Sequence, residues 1–268
     1  MNPLAQLRTV ETWERAEGSP TPLGATWVQT ERAWNFSLFS RHAAGATLLI
    51  YGEDDPGKPV FQQRLDPIGN KTGPIWHCMV PESAARGAAF YAWRVEGPSD
   101  RSRGGRFDPA KVLLDPFAQA VHFPKGFSRA AACQPGSNEG RAPLGVLPRP
   151  SAPFDWGDAP RPRHEHDTVV YELHVKGFTA RANSGVAAGK RGTFLGLIEK
   201  IPYLRELGVT VVELLPVHQF DPQEGNYWGY MTLNFFAPHR GYAVRDPLRE
   251  FQQMVRAFHE AGIEVWLD

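Results

Sequence analysis

From Asp167 onward the chain alternates buried apolar runs with stretches of helical spacing, and this alternation restricts its fold more than any other feature. Residues 168–175 (Thr-Val-Val-Tyr-Glu-Leu-His-Val) form the first buried run. Phe194, Leu197, Ile198, Ile201, Leu204 and Leu207 then recur at helical spacing. Pro202 lies inside that stretch, which predicts a helix that breaks and restarts with proline in its first turn, with Gly208 as the stop. Residues 209–217 are a second buried run. Asp246-Pro247 supplies an N-cap and a first-turn proline, and Leu248, Phe251, Val255 and Phe258 share one apolar face. Gly262 closes that helix, and 263–267 is a third buried run leading into the carboxylate of Asp268. The order β-α-β-loop-α-β, with strands apolar on both faces, implies a parallel sheet with right-handed crossovers.

Upstream the period changes. Trp34 to Phe39 alternates apolar and polar, Thr47 to Tyr51 is a buried run, and strand-like segments follow at 60–65, 75–80 and 90–95. Short strands punctuated by Gly, Pro and Asp predict a β-sandwich. Four regions follow: an N-terminal extension over 1–24, a sandwich over 25–100, a Pro- and Gly-rich linker packed on the domains over 101–166, and the parallel α/β region over 167–268.

Lys plus Arg equals Asp plus Glu at 29 each, so charge gives no case for nucleic acid or an anionic membrane as partner. Cys78 and Cys133 are too few for a disulfide scaffold, and free thiols fit a reducing compartment. Glu11, Glu14 and Glu17 stand where a signal peptide needs apolar residues, and no window approaches a membrane span. A soluble cytoplasmic protein is the expectation.

Three strings carry a family resemblance. They are Val-Val-Tyr-Glu-Leu-His-Val-Lys-Gly-Phe-Thr over 169–179, Leu-Leu-Pro-Val-His over 214–218, and Asn-Tyr-Trp-Gly-Tyr-Met-Thr-Leu-Asn-Phe-Phe-Ala-Pro over 226–238. Together they resemble the opening of the catalytic barrel in glycoside hydrolase family thirteen, the α-amylase superfamily, and more narrowly the isoamylases and bacterial glycogen debranching enzymes. Residues 22–26 and 36–40 resemble the start of a family 48 carbohydrate-binding module, and 106–116 resembles the linker of these enzymes. The fold implied is a β-sandwich followed by the first three βα units of a (β/α)8 TIM barrel, truncated.

The resemblance implies hydrolysis of α-1,6-glucosidic branch linkages in glycogen or limit dextrin by a retaining mechanism, with no cofactor and no metal. An Asp nucleophile and a Glu acid/base would stand about 5 Å apart. Both are expected beyond Asp268, so this chain alone is expected to be inactive. Asp268 matches the first Asp of the family's Asp-x-x-x-Asn-His motif. Tyr230 matches the tyrosine that stacks on the sugar at the cleavage point. Trp228, Tyr227 and His218, the last ending the second strand, complete the candidate substrate-binding set. A non-catalytic glucan-binding protein, a branching or trehalose-releasing enzyme, and a truncated product without its own role are the alternatives.

Glu172 and Glu213 match no catalytic position and are expected to form structural hydrogen bonds. Trp76 and Trp93 are expected in the sandwich core. His164-Glu165-His166-Asp167 offers ligand residue types without a fixed ligand geometry. With an unpaired strand edge, the 167–268 region is expected to be less stable than the sandwich and prone to association.

Overall fold

The computed structural model describes residues 17–158 and 161–268, in two compact units that divide between Pro150 and Ser151.

The first unit is a sandwich of two antiparallel sheets. Strands β1 (Gly24–Val28), β2 (Ala33–Phe39), β5 (Lys71–Thr72) and β6 (Ile75–Pro81) form one sheet in the order β1-β2-β6-β5. The other runs β4-β3-β7-β9-β8, from β3 (Gly45–Gly52), β4 (Pro59–Arg64), β7 (Ala88–Glu96), β8 (Val121–His122) and β9 (Leu144–Val146). Alternate residues of β2, β3, β6 and β7 meet between the sheets, among them Phe36, Leu48, Ile50, Trp76 and Trp93. Trp76 and Trp93 are buried here, so neither presents a face to a ligand.

Two departures from the sequence-based boundaries have physical reasons. The polar face of β2 is covered as well: Asn35 exchanges hydrogen bonds with Ser19, and Ser37 Oγ donates to the Pro20 carbonyl (2.7 Å). The expected N-terminal extension is therefore pinned to the sheet from about Glu17; residues 1–16 lie outside the described residues. The expected linker is not one connection. Its first part, through Pro150, belongs to the sandwich unit, and the remainder to the second unit. The run at 47–51 is apolar on both faces, so the outer face of β3, with Leu49 and Tyr51, needs its own cover. Val112, Ala142 and Leu144 from the expected linker supply it. Helix α1 (Arg129–Cys133) lies in this segment, capped by Ser128.

The second unit holds a parallel sheet, β10 (Val170–Leu173), β11 (Val211–Leu214) and β14 (Glu264–Leu267), in that order across the sheet. The first strand is shorter than the expected 168–175. His174 Nδ1 accepts the Gly177 N–H (3.0 Å), capping helix α2 (Val175–Thr179) and turning the chain out of the sheet. Helices α3 (Phe194–Ile198) and α4 (Ile201–Glu206) replace a single helix, with Pro202 in the first turn of α4. Asp246 caps helix α5 (Pro247–Glu260) through the Arg249 N–H (3.1 Å). Phe194, Leu197, Leu204, Met254 and Phe258 from these helices pack on Leu173, Val212 and Leu214 of the sheet. Strands β12 (His218–Phe220) and β13 (Thr232–Pro238) make a separate antiparallel pair. Among the described residues no helix is long and apolar enough to cross a membrane.

His164 and Asp167 tie the approach to β10 to the start of β14. His164 Nδ1 lies 2.8 Å from Asp167 Oδ2 and its Nε2 2.8 Å from the Gly262 carbonyl, while its backbone N–H donates to Glu264.

Candidate functional site

The C-terminal ends of the three parallel strands lie together. The register pairs Leu173, Leu214 and Leu267 across the sheet, and Asp268 follows, its N–H donating to the Leu214 carbonyl (3.1 Å). The strand period of two puts Asp268 on the same face as Trp266, and Trp266 is in register with Glu213 and Glu172. This face therefore carries three carboxylates near one strand end.

The loop between β12 and β13 meets that end. Asn226 Oδ1 accepts the Trp228 N–H (2.9 Å), a local turn that fixes the loop entry. Gly229 has φ +89°, and a Cβ there would lie 3.0 Å from the Phe220 ring. Only glycine suits both constraints. The turn aims Tyr230 at the sheet, and its hydroxyl donates to Asp268 Oδ2. That hydrogen bond, with burial and the charges of Asp268, Glu172 and Glu213, holds the Tyr230 phenol above its usual range, protonated at neutral pH.

Tyr227 and Trp228 are placed by a residue that sequence reasoning did not single out. The His174 ring stacks on Tyr227 (centroids 4.2 Å, planes 9° apart) and meets Trp228 edge-on at 6.3 Å. Because His174 Nδ1 accepts the Gly177 N–H, its proton sits on Nε2, which donates to the Tyr227 carbonyl (2.8 Å). The Tyr242 hydroxyl lies 3.1 Å from the same nitrogen. Gly177 leaves the room this requires: a Cβ would stand 2.3 Å from the Tyr227 hydroxyl. Two of the distinctive strings thus interlock, 169–179 holding 226–238. The signal available in the sequence was a polar ring ending an apolar strand. Tyr227, Trp228 and Tyr230 all remain about half exposed, at 53%, 51% and 53%. Tyr227 and Trp228 meet edge-on at 5.7 Å and Tyr230 stands on the Asp268 carboxylate, exposed rings suited to a ligand that is apolar on its faces and hydroxylated at its rim.

His218 does not end the second parallel strand, as the sequence suggested. β11 stops at Leu214, and Pro216, which lacks an N–H, interrupts the run before His218 opens β12. Its ring lies against Phe235 (5.4 Å), and burial lowers its pKa. The neighbouring His239 stacks on Phe220 at 3.8 Å and meets Gln219 Nε2 through Nδ1 (3.0 Å). Burial, with Lys176 and His174 nearby, lowers its pKa to about 4, so it is neutral at pH 7. The side-chain carboxylates of Glu172 and Glu213 accept no hydrogen bond among the described residues, contrary to the structural role expected of them.

Known proteins match both units of the chain. Residues 22–118 match the model of carbohydrate-binding module 48 (isoamylase N-terminal domain), and residues 162–268 match the α-amylase catalytic domain. The chain is 42% identical over 276 residues to isoamylase 3, chloroplastic, of Oryza sativa subsp. japonica, covering 94% of this chain and 34% of that protein. It is 38% identical over 271 residues to the glycogen debranching enzyme of Erwinia tasmaniensis, covering 94% of this chain and 39% of that protein. Among solved structures, the Group B Streptococcus pullulanase SAP in complex with maltotetraose superposes with a TM-score of 0.70 at 23% identity, over 96% of this chain and 34% of that one. The chain thus spans about a third of the length of the relatives it matches. It is similar to isoamylases and glycogen debranching enzymes over that third, with a match to carbohydrate-binding module 48 followed by a match to the α-amylase catalytic domain.

Proposed function

We propose that this chain is the N-terminal third of an α-1,6-glucan debranching hydrolase acting on glycogen or limit dextrin. Strands β10, β11 and β14 are then the first three of an eight-stranded barrel, whose chemistry gathers at the C-terminal ends of its strands. The observation that carries this reading is the Tyr230–Asp268 hydrogen bond at that end of the sheet, beside the half-exposed faces of Tyr227 and Trp228. Tyr230 offers its ring to the sugar at the cleavage point. Asp268 fixes the tilt of that ring, and Tyr227 and Trp228 extend the wall along the glucan. The nucleophile and acid/base come, as the family resemblance implies, from sequence that follows these three strands. The 268 residues alone bind glucan and turn over none.

The test compares two polypeptides on glycogen: the 268-residue chain and one extended by the sequence encoded after it. Release of linear maltooligosaccharides by the longer polypeptide, with none from the shorter, is the expected result. Glycogen binding without release by the longer one points to a non-catalytic glucan-binding protein. Sustained release by the shorter one, lost on Glu172→Gln or Glu213→Gln, would place the chemistry on the wrong carboxylates.

A further inference from the structure

The outer flank of helix α5 carries a cleft of about 480 Å³, lined by Trp156, Arg161, Val255, Arg256, His259 and Glu260. This volume is in the range of small-ligand pockets. His259 and Glu260 lie just before β14, at the N-terminal end of the sheet, whereas Tyr230 meets Asp268 at the C-terminal end.

Trp156 is 46% exposed on a segment with no regular secondary structure, yet that segment is fixed at several points. Arg249 donates from Nη2 to Ser151 Oγ (3.1 Å) and to the Ala152 carbonyl, and its guanidinium lies over the Phe154 ring. Two helical turns along, Arg256 Nη1 donates to the Asp155 carbonyl (3.0 Å). Asp155 Oδ1 accepts the Gly157 N–H (2.9 Å), and Phe154 meets Trp156 edge-to-face at 4.8 Å. Nothing in this set of contacts buries the indole. They hold it at the surface, its ring preorganised at little further entropic cost.

The polar groups around it select a ligand class. Arg256 is already matched by Glu260 (2.7 Å) and Asp155 (3.7 Å), which leaves Arg161 as a cation with no ion-pair partner among the described residues. Burial and the Arg161 charge lower the His259 pKa, so that ring is neutral at pH 7. A phosphate or carboxylate ligand calls for converging free cations, which this cleft lacks. A neutral pyranose calls for a flat apolar face with donors and acceptors at its rim, and here Trp156 is the face, Arg161 and His259 the donors, Glu260 the acceptor.

We propose that this cleft binds a neutral α-glucan chain, as a second site remote from the one at Tyr230. The ligand class rests on the debranching reading, and the site would hold the polymer while a branch occupies the cleavage end. The test is fluorine NMR of the 268-residue chain labelled with 5-fluorotryptophan, with the signals assigned by Trp156→Phe and Trp228→Phe, titrated with maltoheptaose. The Trp156 signal should shift saturably. Arg161→Gln should raise its midpoint about fivefold, one hydrogen bond's worth, and leave the Trp228 response alone. A Trp228 response with Trp156 unmoved overturns this site and leaves the debranching reading standing. A Trp156 response with Trp228 unmoved upholds it and faults the site at Tyr230. Silence from both overturns both, and a Trp156 response to sulfate but not to maltoheptaose overturns the ligand class.

Discussion

Gly177→Ala should separate the stability of the second unit from the order of its aromatic loop. Gly177 sits inside helix α2 and is not among the positive-φ glycines, so alanine suits its backbone. There the change favours the helix by about 1 kcal/mol. Against that, the new methyl would stand 2.3 Å from the Tyr227 hydroxyl; its next neighbours, His174 Cβ and Tyr227 Cζ, are at 3.6 Å, ordinary contact. The Tyr227 side chain must therefore swing away, giving up its stack on His174, worth about 0.5–1.5 kcal/mol. The two effects nearly cancel. The melting temperature should change little, while the Trp228 and His174 resonances shift and glucan affinity falls. Adding Tyr227→Phe removes only the offending hydroxyl and should restore both the resonances and the affinity. If Gly177→Ala leaves the Trp228 signal in place, or the double variant fails to restore it, the interlock of the two motifs is wrong.

Tyr230→Ala should abolish most turnover in the extended polypeptide while Tyr230→Phe loses far less, because the ring orients the sugar and the hydroxyl only orients the ring; equal kcat/KM for the two would reject this role. His239 has a folded pKa of about 4 against an ordinary 6.5. The unfolded chain therefore takes up the proton first, and the stabilisation by neutral His239, present above pH 6.5, declines as pH falls toward 4. His239→Phe, which keeps an aromatic ring against Phe220, should flatten the acid limb of the stability curve. His164 is opposite in sign, its pKa raised by the Gly262 carbonyl and Asp167, so its contribution is full below pH 6.5 and is lost as pH rises through the folded value. Amide exchange at 262–264 should accelerate above neutrality, beyond its intrinsic pH dependence, and that excess should vanish in His164→Ala. In the 268-residue chain, β10 and β14 are sheet edges with Val169, Val170, Trp266 and Leu267 exposed, so amides of β10–β14 should exchange faster than those of β2, β3, β6 and β7. Equal protection would refute this.

Local chemistry was decisive for much of the second unit. Pro202 broke one helix into two because its ring cannot sit in a helix interior, and Asp246-Pro247 opened α5 because one residue caps and the next has no N–H to lose. The apolar runs identified parallel strands by being apolar on both faces. The same signal at 47–51 foretold that the outer face of the sandwich needed a cover, but nothing local said which residues would provide it. Val112, Ala142 and Leu144 come from a stretch without period, and only the folded chain brings them to Leu49 and Tyr51. The site divides in the same way. Tyr230, Trp228, Tyr227 and Asp268 were legible as residue types within motifs. That Tyr230 would bond Asp268, 38 positions away, and that His174 and Gly177 would set Tyr227, depended on contacts between distant segments. Short-range preferences are written into a few consecutive residues and can be read there. Which ring meets which is fixed by close packing, a property of the assembled chain alone.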